Sequence, residues 1–290
     1  MITFFGMRSR TSGITRGLQL RQWIPGARFI ESAHYRRHVG NRVAIVIRHF
    51  NPDLFARLKR RGCIVGYDLL DTPTADAQGR NTDAIESWSV YASPDVDFYL
   101  VNNTACRDAM SAAVDRPVFI VPHQSVNNDE HRNPQPATAR SIGYLGLPDQ
   151  NLLDAELAAL AARRGLEYIN THPDDREGCV SALRRIDVGV VPMFEPAAQR
   201  YKPNVKLTNF QAFGIPTVAA RYDSYVEFGG GAWVPVDTID GFIPALEALL
   251  DDPARRLDLA ERSWRHAQQF HIRHIAAQYM QICARMFNVG

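Results

Sequence analysis

Short apolar runs rich in β-branched residues alternate with stretches of helical period along the whole chain. That alternation predicts parallel βαβ units and argues against sandwiches and bundles. In the first half, Ile2–Phe5, Ala27–Ile30, Val43–Ile47, Cys63–Leu69, Phe98–Val101 and Val118–Val121 read as buried strands. Helices are predicted between them near 13–23, 52–61, 81–92 and 103–113, the third opened by Asn81 or Thr82 as N-cap. Residues 124–140 are polar, hold two prolines and show no apolar period, which predicts an interdomain linker. Beyond it, Ser141–Leu145, Glu167–Asn170, Val188–Val191, Thr217–Ala220 and Trp233–Val236 read as strands, with helices near 150–164, 176–185, 204–213 and 242–251. Two amphipathic helices follow from Pro253 to Phe287, with Trp264, Phe270, Tyr279 and Phe287 expected as core-facing anchors.

At 290 residues, two domains are the first expectation. The boundaries read as 1–130 and 141–270, with a terminal helix over 271–290. No internal repeat is visible. An apolar content of 46% with 22% charged residues fits a globular protein, and a net charge of +2 does not suggest nucleic-acid binding. Arg8, Arg10, Arg16 and Arg21 form a local basic cluster, suited to an acidic substrate, an anionic membrane surface or a plain solvated face. No apolar run reaches the ~18 residues of a membrane span, and the first residues lack a signal peptide's order, so a cytoplasmic protein is expected. Cys63, Cys106, Cys179 and Cys283 stand apart without metal-ligand spacing and read as buried thiols. His266, His271 and His274 have no cysteine or carboxylate beside them, so no metal is expected there.

The stretch with most chemistry is Tyr201–Glu227. Pro203 and Asn204 start a helix, Lys206 falls in its first turn, Gly214 ends it, and Ile215–Ala220 returns as a buried strand. A helix N-terminus with an adjacent lysine suits a diphosphate, because free N–H groups, the positive dipole end and a mobile cation act together. In open α/β sheets ligands lie at the carboxyl ends of strands, and Val188–Val191 leads into this loop. No G-x-G-x-x-G follows any predicted strand, which disfavours a dinucleotide oxidoreductase.

Lys202-Pro203, Lys206, Ala212, Gly214, Pro216, Val218-Ala219 and Glu227 together resemble the donor-binding segment of GT-B glycosyltransferases of the retaining, family 4/1-like kind. Ile142–Gly146, Asp187–Pro192 and Val121-Pro122-His123 resemble neighbouring pieces of the same fold. The resemblance implies an α/β protein of two Rossmann-like domains, with the C-terminal helices packing back toward the first. It implies that Lys206 holds the donor diphosphate, with Lys202, Arg200, Asn204 and Gly146 around the nucleotide-sugar and Glu227 on ribose or sugar hydroxyls. Two departures stand out: Tyr201 and Asn209 occupy positions where many retaining members carry paired glutamates, and Gly146–Asn151 lacks their arginine and lysine. Arg200, Lys202 and Lys206 concentrate that charge on one loop instead.

In the first half, Gly13 and Gly17 permit close approach of backbone to ligand, and Arg16 could reach phosphate or an acidic acceptor; an ordinary βα turn is the stronger reading of the glycine pair. Deprotonating an acceptor hydroxyl needs a base or help from the leaving phosphate. Asp71 and His123, at strand ends, are the candidates, though Asp71 also suits a loop cap and His123 a structural hydrogen bond.

The expected function is a hexosyltransferase-type enzyme moving sugar from a nucleotide diphosphate donor to a saccharide or lipid-linked acceptor. It would need no metal and no cofactor beyond the donor, and would serve bacterial polysaccharide or envelope-glycan synthesis at or near the inner membrane face. The rivals are a catalytically silent nucleotide-sugar binding protein and a nucleotide-sugar epimerase.

Overall fold

The computed structural model describes residues 1–7, 13–31, 42–70, 88–147, 150–172, 175–194 and 200–289. Arg8, Arg10, Asp71 and the expected N-cap at Asn81 or Thr82 lie outside them. The chain forms two compact units, Met1–His123 with Arg200–Pro203 and Ile272–Gly290, and Gln124–Gln199 with Asn204–His271.

The first unit holds β1 (Ile2–Gly6), β2 (Arg28–Glu31), β3 (Val43–Ile47), β4 (Ile64–Asp68), β5 (Phe98–Val101) and β6 (Val118–Ile120). They form a parallel sheet in the order β2-β1-β3-β4-β5-β6. Both faces are covered, so the strands read as continuous apolar runs, and the period of two sorts their side chains between two cores. Ala44 and Val46 join Phe5, Val65, Tyr67 and Tyr99 on one side. Val43, Ile45 and Ile47 join Phe4, Phe98 and Leu100 on the other. The first side is closed by α1 (Pro52–Arg60) and α2 (Thr104–Ala113), through Leu54, Phe55 and Leu58 and through Cys106 and Met110. Each helix is capped by an asparagine, Asn51 accepting from the Leu54 amide at 3.0 Å and Asn103 from the Cys106 amide at 2.8 Å.

The second side is closed from the far end of the chain. Helix α9 (Ile272–Val289) belongs to this unit and contributes Ile272, Ile275, Ala276, Tyr279 and Cys283 to its core. Phe287, expected to pack inside, is 42% exposed, with the Arg42 guanidinium 4.9 Å from its ring centre. Near the end of a helix the apolar stripe can run past the edge of the sheet it covers.

A second segment also joins this unit from a distance. Arg200–Pro203 is built into it, with the Tyr201 ring 5.4 Å from Trp88 and only 4% exposed. The Asn102 side-chain amide donates to Tyr201 O, and that of Asn103 to Arg200 O and Lys202 O, each at 3.3 Å.

The second unit has β7 (Ser141–Leu145), β8 (Glu167–Thr171), β9 (Val188–Val191), β10 (Thr217–Ala220) and β11 (Val234–Val236), parallel in the order β11-β10-β9-β7-β8. Its helices are α3 (Asp154–Arg164), α4 (Arg176–Leu183), α5 (Val205–Ala212), α6 (Asp223–Phe228), α7 (Phe242–Leu250) and α8 (Pro253–Ala267).

Residues 124–140 do not behave as the expected linker. They are part of the second unit. Asn127 donates to Ala212 O at 2.6 Å, Asn133 to Leu183 O at 2.8 Å and Gln135 to Gly214 O at 3.0 Å, while Val126 N donates to Asn209 Oδ1 at 3.0 Å. The polar composition that suggested solvent serves here to satisfy buried backbone groups. The helical stretch expected near 13–23 is also different in kind, a π-helical segment over Gly13–Gln19 followed by a 3₁₀ turn over Leu20–Gln22.

Candidate functional site

In the second sheet the strand order reverses between β7 and β9, and ligands of such sheets bind beyond the carboxyl ends of the strands at this reversal. Helix α5 follows β9 and packs on it closely. A Cβ on Gly189 would come within 2.8 Å of the Phe210 ring. Leu207 through Ala212 are all buried, leaving only the first turn partly open. The helix ends in a Schellman motif: Ile215 N donates to Phe210 O at 3.0 Å, Gly214 N to Gln211 O at 2.9 Å, and Gly214 has φ +67°. Asn204, which precedes the helix, does not cap it with its side chain. That amide is buried and donates to Thr208 Oγ1 at 2.5 Å.

Lys206 lies in this first turn, where the helix dipole disfavours a cation. It is half-buried, and its ammonium donates to Tyr144 Oη at 2.7 Å and lies 4.4 Å from the centre of the Tyr144 ring. Tyr144 is in β7 and is itself buried, its hydroxyl donating to Leu147 O at 3.2 Å. Gly146 follows the end of β7. A Cβ there would land on the Lys206 ammonium nitrogen and come within 2.7 Å of Tyr144 Oη. The glycine therefore leaves the space in which the cation sits. Sheet reversal, helix start and lysine charge coincide at one place, and each favours an anion.

Tyr144 is the residue of this site that sequence reasoning missed. An aromatic inside an apolar strand carries no signal of its own; only the placement of α5 brings the ammonium over its ring. Glu227 is exposed on α6, directly after β10. Arg200 and Lys202, expected beside Lys206, are counted with the first unit; Arg200 is exposed and Lys202 half-buried.

The first unit has its own polar cluster. Arg16, in the segment that follows β1, is 1% exposed, so neither a solvated face nor an open loop describes it. Its Nη2 donates to Val121 O at 2.8 Å and Pro122 O at 3.1 Å, the carbonyls just before His123. The ring of Tyr279 in α9 is centred 5.7 Å from the guanidinium, and its hydroxyl donates to the Asp68 carboxylate at the end of β4. Burial pushes the Asp68 carboxyl above its ordinary range, while Arg16, the Tyr279 hydroxyl and the Leu70 amide pull it back. Arg16 thus holds the two residues that lead from β6 to His123, and His123 is 7% exposed. Gly13 opens the segment that carries Arg16. Two non-glycine residues with left-handed φ, Arg48 at 57° and Leu70 at 56°, follow the carboxyl ends of β3 and β4. Such conformations concentrate where a fold holds residues for a purpose. Asp68 was not singled out from sequence and Tyr279 only as a packing anchor, although a carboxylate inside the apolar run Cys63–Leu69 was the available signal.

Among the described residues no three His, Cys, Asp or Glu side chains are grouped to hold a metal ion, and no helix is long and apolar enough to cross a membrane.

No protein-family profile and no curated protein matches the chain. Solved structures do. Sucrose-phosphate synthase from Thermosynechococcus elongatus aligns over 100% of this chain and 99% of its own, at 12% identity and a TM-score of 0.71. HepE from Anabaena, in complex with UDP, aligns over 98% and 99%, at 12% identity and a TM-score of 0.70. The trehalose-6-phosphate synthase OtsA aligns over 82% and 71%, at 14% identity and a TM-score of 0.57. At these identities the likeness is one of fold.

Proposed function

We propose that this chain, which has the GT-B fold, is a glycosyltransferase whose second unit binds the diphosphate of a nucleotide-sugar at Lys206. One observation carries the reading. The Lys206 ammonium is held by Tyr144 above Gly146, at the sheet reversal and at the start of α5. A cation placed against a helix dipole costs about 0.3–1 kcal/mol, and an anion in the same space makes both charges favourable. HepE was solved with UDP and with UDP-glucose, so a uridine diphosphate sugar is the first donor to try.

In the transfer an acceptor hydroxyl oxygen bonds to the anomeric carbon as the bond from that carbon to the diphosphate oxygen breaks. The nucleoside diphosphate leaves with the electron pair, and the hydroxyl proton passes to a base or to the leaving phosphate. Lys206 is suited to stabilise the charge that develops on the leaving group. His123, held at the exit of β6, and Asp71 are the proposed bases; Asn204, Arg200, Lys202 and Glu227 are the further donor contacts. A saccharide or lipid-linked acceptor, a hexosyl donor, metal-independent turnover and a cytoplasmic setting in bacterial polysaccharide synthesis complete the reading.

A binding protein without turnover is the second reading, favoured by what Tyr201 and Asn209 do. Tyr201 fills the first unit's core, and Asn209 accepts from the Val126 amide, so neither position offers a carboxylate to a sugar.

Calorimetric titration with UDP, GDP and their sugars tests the site. Lys206→Ala is expected to weaken the preferred diphosphate by at least about tenfold, as loss of a charged hydrogen bond of about 1.5–3 kcal/mol implies, with little change in melting temperature. Unchanged affinity would remove the assignment. Binding without release of free nucleoside diphosphate across an acceptor panel would move the protein to the second reading, and turnover undiminished by EDTA would support metal independence.

A further inference from the structure

Helix α9 gives one face to the core of the first unit and carries an apolar stripe on another. Met280, Ala284 and Phe287 follow one another at helical spacing and are all exposed, Met280 by 38% and Phe287 by 42%. Burial in the first unit accounts for Ile275, Tyr279 and Cys283, and for none of these three.

The pattern continues beside the helix, at the amino edge of the first sheet. The 3₁₀ turn over Leu20–Gln22 packs against α9, and Trp23, which follows it, is 38% exposed. Met1, just before β1, is 59% exposed; a Cβ on Gly26 would lie 4.0 Å from its Cγ, and its carbonyl accepts from Val43 N at 3.4 Å. Arg42 directly precedes β3 at the same edge, and its guanidinium over the Phe287 ring brings the end of α9 there as well.

The charge around these side chains has one sign. Arg21, Arg28 and Arg42 are exposed along the edge, and Arg285 is exposed on α9. Leu20–Ile30 and Ile272–Gly290 contain no Asp or Glu, in a chain with 31 acidic residues against 33 Lys and Arg. Of the basic cluster expected near the start of the chain, Arg16 is buried and Arg21 belongs to this edge. Exposed apolar groups and guanidiniums that repel one another are both relieved by the same partner, an anionic bilayer, whose phosphates take the arginines while its interface takes the rings and thioethers. Arginines interrupt the apolar side chains here, which suits fluid headgroups better than a close-packed protein surface.

We propose that this edge of the first unit, with the outer stripe of α9, docks on an anionic lipid bilayer. Trp23, Met280 and Phe287 enter the interface, and Arg21, Arg28 and Arg42 pair with lipid phosphates. Among the described residues no helix can cross a membrane, so the contact is one of the surface. At about 3.3 Å per residue the five residues of β1 put the carboxyl ends of the strands about 16 Å away, and docking leaves them clear. The proposal stands apart from the donor reading, since it uses no residue of the Lys206 site.

Co-sedimentation of the full chain with vesicles of phosphatidylglycerol and phosphatidylcholine, against phosphatidylcholine alone, tests it. The expected result is binding to the anionic vesicles only, weakened by added salt, at least about tenfold weaker in Arg28→Ala/Arg42→Ala, several-fold weaker in Phe287→Ser and unchanged in Lys206→Ala. The replaced side chains at the edge are exposed, so circular dichroism should stay that of the parent. Anionic vesicles with brominated acyl chains should quench tryptophan fluorescence, and Trp23→Phe should bind but lose the quenching. Absence of binding to anionic vesicles overturns the proposal, and so does equal binding to phosphatidylcholine alone. Binding kept in full by the double arginine variant, or quenching that survives in Trp23→Phe, overturns it by moving the contact to another face. Sedimentation equilibrium without lipid is the last arm: a dimer that Phe287→Ser dissociates would give the face to a second copy of the chain and overturn the lipid assignment, whereas a monomer is expected.

Discussion

Gly146 and Lys206 act as a pair, because the absent side chain of one leaves the space for the charge of the other. Gly146→Ala should therefore displace the ammonium without unfolding the unit, since the atoms in the way are the ends of two side chains and not backbone. Diphosphate binding should weaken several-fold, with circular dichroism unchanged; full affinity would show that the ammonium position does not matter. Asp68 allows a test of a different kind. Burial raises its folded carboxyl above the unfolded value, so the stability tied to its protonated form is complete below the unfolded pKa near 4 and is lost as pH rises through the folded one. Asp68→Asn should remove that slope. Urea unfolding from pH 4 upward should show the parent losing stability relative to the variant, and parallel curves would refute the raised carboxyl. Lys206 was legible in the sequence because its neighbours in the chain are also its neighbours in the helix start. Arg16 was legible only as a charge: its burial depends on the Val121 and Pro122 carbonyls and on Tyr279, which are more than 100 residues away.

Elements with a clean period were read nearly to their ends. Strand Val43–Ile47 was expected and found with those bounds, and α1 and α2 begin within a residue of their predicted starts, each behind an asparagine. The stretch 124–140 was misjudged because a polar residue that satisfies buried carbonyls and one that faces water look alike in sequence. The stop of α5 shows how much one residue can specify. Gly214 takes a left-handed φ, and a Cβ there would meet its nearest atoms at 3.3–3.5 Å, so space is nearly adequate and the conformation is the chief cost. Gly214→Ala should destabilise the protein by about 1–2 kcal/mol, read by denaturant midpoint. A larger loss would mean that Arg132, the nearest side chain, cannot move aside.

At the scale of the whole molecule the two sheets follow the same doubly wound logic, and their parallel strands, though not the strand orders, were implied by the βα alternation. The membership of distant segments was not, because no local pattern states that Tyr201 fills a core begun by Phe5, or that Tyr279 meets Asp68. Removal of Ile272 onward should uncover Phe4, Ile45, Phe98 and Leu100, and light scattering should report aggregation. A monomeric, cooperatively unfolding truncation would mean that α9 adds little to the first unit. The same discontinuity governs how the protein is made. Residues 1–123 are synthesised before Tyr201 and α9, yet their sheet waits for both. The part made sooner is thus finished later, and until α9 has been made the nascent chain carries an open apolar face and a buried carboxylate's partner still missing, a state that a holding chaperone would recognise.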